Sequence, residues 1–178
     1  MNKIQIIVNN GAGTGSAVAV WKETKEYLQE NGISYNAYLT RYEKHAVKLA
    51  GQICGKIPEG PIYLLVVGGD GTINEVLNGI TDFDRVRLGV IPTGSGNDFA
   101  RNLGILRDTR EDLREITACI GQEQNGEKLQ RIDLGKVSWE GCEKPRIFGI
   151  SAGAGLDAIV CKKALHSKLK KILNRFHL

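Results

Sequence analysis

The stretch Leu64-Leu65-Val66-Val67-Gly68-Gly69-Asp70-Gly71-Thr72-Ile73-Asn74-Glu75-Val76 decides the fold, because an apolar run breaks into glycines around one carboxylate and then opens a helix. The run from Ile62 to Val67 is typical of a strand that is buried on both faces. Gly68, Gly69 and Gly71 let the backbone turn sharply and approach a ligand without a Cβ in the way. The stretch therefore predicts a strand that delivers a phosphate-binding loop.

The helix predicted after these glycines covers Ile73 to Ile80, with Thr72 or a neighbour opening it. A helix N-terminus presents unpaired N–H groups and a partial positive charge, both of which suit a polyphosphate. Asp70 would repel a bare phosphate, so its position favours a role through Mg²⁺, bound water or a substrate hydroxyl. For one glycine-rich loop taken alone, an ordinary tight turn between a strand and a helix stays open as the alternative.

The rest of the chain up to residue 128 repeats this strand-then-helix pattern. With 178 residues, 42% of them hydrophobic and 25% charged, the composition is that of a globular protein. Strands that alternate with helices at this spacing predict an α/β fold, a doubly wound and mostly parallel sheet. The predicted strands are Lys3 to Val8, Ser34 to Thr40, Ile62 to Val67 and Arg87 to Ile91. The predicted helices include Ser16 to Glu30, Glu43 to Lys56 and Arg110 to Ile120.

A different pattern begins near Leu129. The runs Leu129 to Trp139 and Arg146 to Ser151 look like strands joined by a short charged loop, which predicts an antiparallel hairpin. We therefore expect two domains, an α/β nucleotide-binding domain over residues 1-128 and the beginning of a β-rich domain over residues 129-178.

Polar and glycine residues follow each of the four predicted parallel strands. Ligands of such sheets bind at the carboxyl ends of the strands, so these segments should meet at one edge. Turn chemistry alone explains four such ends poorly, although a threonine also suits strand packing and Asn97 or Asp98 also suits a helix cap. The four segments are Asn9 to Gly13, Thr40, Gly68 to Thr72 and Pro92 to Arg101.

These motifs resemble the diacylglycerol kinase catalytic-domain family, which includes bacterial lipid kinases and sphingosine kinases. The segment Gly68 to Thr72 alone is shared with NAD kinases and, approximately, with phosphofructokinases. Its continuation from Ile73 to Gly79, together with Pro92 to Arg101 and Arg131 to Lys136, is much more specific to the lipid kinases. The resemblance implies a two-domain enzyme that transfers the γ-phosphate of ATP to a lipid hydroxyl in the cleft between its domains.

The first expectation for the reaction is conversion of diacylglycerol to phosphatidic acid, with ATP and Mg²⁺ as cofactors. An NAD kinase-like enzyme, or a nucleotide-binding fragment without catalysis, is the alternative. The presence of all three acidic positions of the family argues against a degraded binding module.

The resemblance also implies roles for individual residues. Asp70 is the candidate catalytic residue, organising metal and water or acting as a base, and Asp70, Asp98 and Asp133 match acidic positions that join a water and Mg²⁺ network. Without the resemblance, Asp133 would be taken for a surface carboxylate at a strand end. The nucleotide-binding candidates are Asn9, Asn10, Gly11, Ala12 and Gly13 in the first loop, Thr40 after the second strand, Gly68, Gly69, Asp70, Gly71, Thr72, Ile73, Asn74 and Glu75 in the triphosphate loop, and Ser95 and Asn97 in the fourth loop.

Two departures from the family pattern lead to further expectations. The family's usual Asn-Pro in the first loop is Asn9-Asn10 here, which removes a fixed φ and restores a backbone N–H. The family also continues well beyond the last residue of this chain, with more strands, Mg²⁺ ligands and a general base. We therefore expect that the chain alone does not turn over, and that uncovered strand edges and apolar surface favour homo-oligomers.

The charge distribution is uneven, because six basic residues and no acidic residue follow Asp157. This tail predicts an amphipathic helix from Asp157 to Leu178, which would either pack on the second domain or contact an anionic membrane. The rest of the chain is slightly acidic, which argues against a nucleic-acid partner. We expect a cytoplasmic protein, peripheral at the inner membrane face, that meets its lipid substrate at a membrane surface. The apolar face of the tail helix consists of Leu165, Leu169, Ile172, Leu173 and Phe176.

Overall fold

The computed structural model describes residues 3–9, 11, 16–105, 108–122 and 129–166 of the chain. The strands of this part are β1 (Ile4–Val8), β2 (Tyr35–Leu39), β3 (Ile62–Gly68), β4 (Val86–Pro92), β5 (Gly135–Val137) and β6 (Arg146–Phe148). Its helices are α1 (Ser16–Glu30), α2 (His45–Lys56), α3 (Asp70–Leu77), α4 (Asp98–Asn102), α5 (Thr109–Gln122) and α6 (Leu156–His166). Residues Asn10, Ala12 and Gly13 of the predicted first loop lie outside the described residues.

The first four strands form one parallel sheet in the order β2-β1-β3-β4, which confirms the predicted α/β fold class. Every residue of β1 and β3 is buried, because helices cover both faces of these central strands. On one face Ile6 packs with Trp21 of α1 and Leu113 of α5. On the other face Ile7 and Val66 belong to the core that α2 and α3 complete.

Helix α3 begins three residues earlier than the sequence predicts. Gly69 has an extended backbone and takes the N-cap position, and its carbonyl oxygen accepts N–H bonds from Thr72 at 2.9 Å and from Ile73 at 3.1 Å. The helix can therefore start directly after the buried strand, and it ends at Leu77 instead of continuing to Ile80. As a result, Asp70 is the first residue of the helix and not part of a loop.

The predicted antiparallel hairpin is confirmed, but its strands are shorter than expected. Only Gly135–Val137 and Arg146–Phe148 pair, and residues 129–134 have no regular structure. The Phe148 ring lies where a Cβ on Gly135 would be, so a glycine is needed at the point where the two strands meet. The domain boundary near Leu129 stays a prediction.

Helix α6 begins close to the predicted position and leaves Leu156, Ile159 and Val160 more than half exposed. The part of the basic tail after His166 lies outside the described residues, so its predicted amphipathic face stays a prediction. Within the described part of the chain, no helix is long and apolar enough to cross a membrane.

An exposed ion pair joins α1 to α5. The Arg110 guanidinium donates to both carboxylate oxygens of Glu30, at 2.9 and 3.0 Å. These hydrogen bonds, with the attraction between the two charges, lower the pKa of Glu30 below its usual value. Because both side chains are in contact with water, we expect the pair to contribute little to stability.

Candidate functional site

The carboxyl ends of the parallel strands meet at one edge of the sheet, where the strand ladder continues for one residue beyond β1, β2 and β4. Thr40 donates its backbone N–H to Val8 at 2.9 Å, and Asn9 donates to Val67 at 2.9 Å. Thr93 donates to Gly68 at 3.1 Å. The chain reverses its direction across the sheet between β1 and β3, which is where ligands bind in folds of this kind.

Asn9 connects the first loop, which follows β1, to the start of α3 across this reversal point. Its side-chain amide donates to the hydroxyl of Thr72 at 2.8 Å, and its side-chain oxygen accepts the N–H of Gly11 at 3.1 Å. Asn9 therefore holds the start of the first loop against the first turn of α3. Thr72 is buried, and a Cβ on Gly68 would lie 2.8 Å from the Thr72 Cβ, so the strand end is pressed against the helix.

The turn at Gly69, between β3 and α3, packs against the fourth loop at Gly94, backbone against backbone. A Cβ on Gly69 would lie 3.1 Å from the Cα of Gly94, and a Cβ on Gly94 would lie 3.0 Å from the Cα of Gly69. Asn97 closes the fourth loop on itself, because its side chain accepts the N–H of Gly94 at 2.9 Å and donates to the Gly94 carbonyl at 2.7 Å. Ser95 is exposed at the tip of the loop that this pair closes.

The Asp70 carboxylate holds the fourth loop in place. One of its oxygens accepts the backbone N–H of Asp98 at 3.1 Å, and the other accepts that of Phe99 at 3.1 Å. These groups belong to the first turn of α4, where N–H groups have no partner within the helix. A carboxylate is also favoured there by the partial positive charge of a helix N-terminus. Asp70 thus caps a helix that starts 28 residues later in the chain.

The Glu75 carboxylate holds the segment that follows β2 in place, as Asp70 holds the fourth loop. Its two carboxylate oxygens accept the backbone N–H of Lys44 at 2.9 Å and of Ala46 at 3.2 Å. Lys44 is the N-cap of α2, has a left-handed backbone with φ 66°, and makes no capping bond with its own side chain. Both oxygens of Glu75 therefore support the segment that follows Thr40.

We expect Glu75→Gln to lower the stability of the protein by about 1–2 kcal/mol, because one N–H of the α2 start loses its charged acceptor. For a chain of this size that corresponds to a fall in melting temperature of about 2–8 °C, measurable by circular dichroism. The matched control is Glu26→Gln, which removes an exposed carboxylate 3.8 Å from Lys22 and should change little. Equal melting temperatures for the two variants would show that Glu75 does not support α2.

An open cleft of about 350 Å³ lies between α3, α4 and the β5–β6 hairpin. Its volume falls in the range of small-molecule sites. Asp70 and Asp98 line the cleft, and the polar side chains of Asn74, Arg146 and Ser151 lie in its lining as well. Its apolar lining comes from α3, α4 and the hairpin with the residues that follow it, namely Ile73, Leu77, Phe99, Val137, Ile147, Phe148 and Ile150. The cleft thus combines carboxylates with a hydrophobic wall.

The two carboxylates of the cleft are near neighbours. A Cβ on Gly96 would lie 3.2 Å from an Asp70 carboxylate oxygen and 3.8 Å from one of Asp98. Mg²⁺ keeps several waters and takes one or two protein carboxylates plus substrate phosphates, so this pair fits a magnesium–nucleotide complex. Asp133 is exposed and is not one of the residues that line the cleft. The structure therefore brings together two of the three predicted acidic residues.

Comparison with known proteins identifies the family. The model for the diacylglycerol kinase catalytic domain matches residues 3–137. The chain belongs to this family. The match contains the whole parallel sheet, the cleft carboxylates and β5.

Similar proteins carry lipid kinase names. The chain is 31% identical over 169 residues to the Bacillus subtilis protein named "Putative lipid kinase YtlR", covering 93% of this chain and 52% of that protein. It is 36% identical over 136 residues to a diacylglycerol kinase of Bacillus subtilis, with 74% and 40% covered. A crystal structure of a Bacillus anthracis diacylglycerol kinase matches with a TM-score of 0.55 at 28% identity, over 65% of this chain and 39% of that one. The chain spans about half the length of the curated relatives it matches.

Within this diacylglycerol kinase family fold, several of the predicted site residues come together. Gly68, Gly69 and Asp70 lie together with Asn9 and the fourth loop at the reversal point of the sheet. Asn9, Asp70 and Glu75 use side-chain atoms to hold neighbouring loops or helices, and the Asn97 side chain holds its own loop. Binding of nucleotide by any of these residues stays a prediction.

Sequence reasoning missed two residues that shape the cleft, Asn78 and Phe99. Phe99 is buried and packs closely against Gly149, because a Cβ on Gly149 would lie 2.7 Å from the Phe99 ring. The available signal was the apolar residue inside the otherwise polar segment from Pro92 to Arg101. Asn78 lies in the family-specific segment from Ile73 to Gly79, but that segment does not indicate its bond to Ile147, which is 69 residues away.

Proposed function

We propose that this chain carries the nucleotide-binding half of an ATP-dependent lipid kinase that phosphorylates a lipid hydroxyl, with diacylglycerol as the acceptor. The observation that carries the proposal is the cleft, in which the Asp70 and Asp98 carboxylates adjoin a wall of apolar side chains. The polar end suits a hydroxyl group and a magnesium-bound phosphate, and the apolar wall suits hydrocarbon.

In the proposed reaction, the acceptor hydroxyl oxygen forms a bond to the γ-phosphorus of ATP while the bond to the β–γ bridging oxygen breaks. ADP leaves, and the hydroxyl proton passes to a general base. Catalysis of this kind depends on positioning and charge neutralisation. Mg²⁺, when bound, would neutralise charge that develops on the phosphates, and Asp70 with Asp98 would hold it through water.

The contacts of Asp70 favour this metal and water role over that of a base. Each of its oxygens already accepts one backbone N–H, and each keeps a further lone pair for a metal-bound water. Taking up a proton would weaken two charge-assisted hydrogen bonds that hold the fourth loop. These contacts therefore fit the organisation of metal and water by Asp70.

The loops at the sheet edge would bind the triphosphate. The first turn of α3 offers N–H groups without intrahelical partners, directly after glycines that leave the backbone accessible. Asn9, the segment after Thr40 and Ser95 lie at the same edge. Their contacts with nucleotide are part of the proposal.

A titration of the chain with Mg-ATP tests nucleotide binding. We expect Gly69→Asp to weaken Mg-ATP binding at least about tenfold, because it adds a negative charge beside the phosphates and a Cβ 3.1 Å from Gly94. The charge-matched control is Gly55→Asp, at an open position in the last turn of α2, at the opposite edge of the sheet. Equal affinities of the two variants would remove the turn at Gly69 and the start of α3 from the nucleotide site.

The acceptor is tested separately. Radiolabelled ATP is offered, with the gene product that contains this chain, to diacylglycerol, a sphingoid base and NAD. We expect label in phosphatidic acid. Label in NADP alone would overturn the lipid kinase proposal, and label in the sphingoid base alone would overturn the choice of acceptor.

We propose a membrane surface as the source of the acceptor, and self-association as a second property of the chain. The lipid kinase names of its relatives support the first. The exposed side chains of Leu156, Ile159 and Val160 on α6 support the second.

A further inference from the structure

Asn78 connects the end of α3 to the β5–β6 hairpin through two hydrogen bonds, and a third bond joins its side chain to α3 itself. Its side-chain amide donates to the carbonyl oxygens of Asn74 and Ile147, both at 2.8 Å, and its side-chain oxygen accepts the Ile147 N–H at 2.9 Å. Both backbone groups of Ile147 are thus paired with one side chain, as they would be with a neighbouring strand. Asn78 itself is the C-cap residue of α3.

The hairpin needs such support, because it is short. Each strand has three paired residues, and a two-stranded hairpin is marginally stable by itself. Ile147 is partly buried against the core, and Gly149 lies against Phe99 and Leu77. These apolar contacts are not directional, whereas the Asn78 bonds specify which residue of β6 faces the end of α3.

This register matters for the cleft. Arg146 to Ala152 form its wall opposite α3 and α4, while Asp70 at the other end of α3 holds the fourth loop. One short helix therefore fixes both the carboxylate end of the cleft and the hairpin wall. A shift of the hairpin would change the distance between them.

We propose that Asn78 is a positioning residue, which sets the hairpin wall against α3 and thereby the affinity of the cleft for an acceptor. The consequence for the acceptor rests on the proposed lipid kinase function, whereas the positioning itself does not. The alternative is that Asn78 only caps α3 through its bond to Asn74. Asn31 is a matched case for that alternative. Its side-chain amide donates to the carbonyl oxygen four residues earlier, that of Tyr27, at 2.8 Å, as Asn78 does to Asn74. Asn31 makes no bond to the hairpin.

Hydrogen exchange of the chain tests the positioning. In Asn78→Ala we expect the amide of Ile147 to lose protection by about 10- to 100-fold, while the amides of β1 and β3 keep theirs. In Asn31→Ala, protection of Ile147 should equal that of the wild type. Unchanged protection of Ile147 in Asn78→Ala would overturn the proposal. An equal loss in all strands would also overturn it, since that would indicate general destabilisation.

A second variant supplies a readout that helix capping alone would not give. In Asn78→Asp the Ile147 N–H keeps its acceptor, but at neutral pH a carboxylate oxygen faces the carbonyl oxygens of Ile147 and Asn74. The protonated acid can donate to one of them, so the protection factor of Ile147 should recover as the pH is lowered. In Asn78→Ala it should not recover. A pH-independent protection factor in Asn78→Asp would count against pairing with Ile147.

The functional consequence is measured with the gene product that contains this chain and a short-chain diacylglycerol. We expect Asn78→Ala to raise the KM for the acceptor about tenfold or more, with a smaller change in the KM for ATP. Equal acceptor KM values in Asn78→Ala and Asn31→Ala would overturn the link to the cleft. If the wild type phosphorylates no lipid while exchange at Ile147 responds as expected, the proposed function fails and the positioning of the hairpin stands.

Discussion

Gly79→Ala is expected to lower the stability of the protein by about 3 kcal/mol, the upper part of the range for overpacked cores. The new Cβ would overlap the carbonyl oxygen of Val47 and lie 2.8 Å from the Cβ of Ala50. Both are on α2, which packs so closely on the turn after α3 that a Cβ on Gly51 would lie 3.4 Å from the Gly79 carbonyl oxygen. Because backbone atoms cannot move aside as a flexible side chain can, α2 must move away from α3 and the turn that follows it.

The melting temperature of Gly79→Ala should fall by about 6–12 °C, as measured by circular dichroism or calorimetry. Gly55→Ala is the control, since it lies in α2 with no atom within 4 Å of the new Cβ. Replacing an unstrained helical glycine by alanine is expected to stabilise by about 0.4–1 kcal/mol. If Gly79→Ala melts at or above the wild-type temperature, the close approach of α2 and α3 is not a feature of the folded protein.

Asp70→Asn is expected to reduce phosphoryl transfer about 10²-fold or more, with only a moderate loss of stability. The substitution keeps the shape of the side chain and one acceptor oxygen. It replaces the other carboxylate oxygen with an NH₂ group, which cannot accept the N–H of Asp98 or Phe99 that it faces. The fourth loop then loses one of its two bonds to α3, and the cleft loses an anion that would hold Mg²⁺ through water.

Initial rates with the gene product that contains this chain, measured across a series of Mg²⁺ concentrations, check this expectation. The variant should also need more Mg²⁺ to reach half of its maximal rate. Asp82→Asn is the control, because the Asp82 carboxylate accepts the Asp84 N–H at 3.2 Å in an exposed turn outside the cleft. Wild-type rates and Mg²⁺ dependence for Asp70→Asn would contradict the role assigned to this carboxylate.

The order of strands and helices was predictable because it depends on local patterns. The helix from Ser16 to Glu30 has the predicted bounds. The observed ends of the four parallel strands differ from the predicted ends by no more than one residue. Their long apolar runs and glycine stops act over a few neighbouring residues. The strand predicted over Leu129 to Trp139 was too long, because an exposed segment forms a strand only where a partner pairs with it.

The candidate site was predictable as a location and less so as a set of roles. Strand ends of a parallel sheet share one edge, so the convergence of the glycine-rich loops followed from the fold class. The resemblance suggested Glu75 as a nucleotide-binding residue, and the structure engages both of its oxygens with the start of α2. The resemblance gave Asp70 as the candidate catalytic residue, and this role stays a prediction. The structure places Asp70 in the lining of the cleft, and its contacts with α4 had no counterpart in the sequence pattern.

The sequence by itself determined the α/β fold class, the sharp glycine turn between β3 and α3 and the family to which the chain belongs. Only the tertiary structure decided that α3 uses Asp70, Glu75 and Asn78 to hold α4, α2 and β6. The physical reason is that all three side chains bind backbone N–H or C=O groups. Nearly every residue carries such groups, so the identity of a partner 28, 31 or 69 residues away leaves no mark on the sequence.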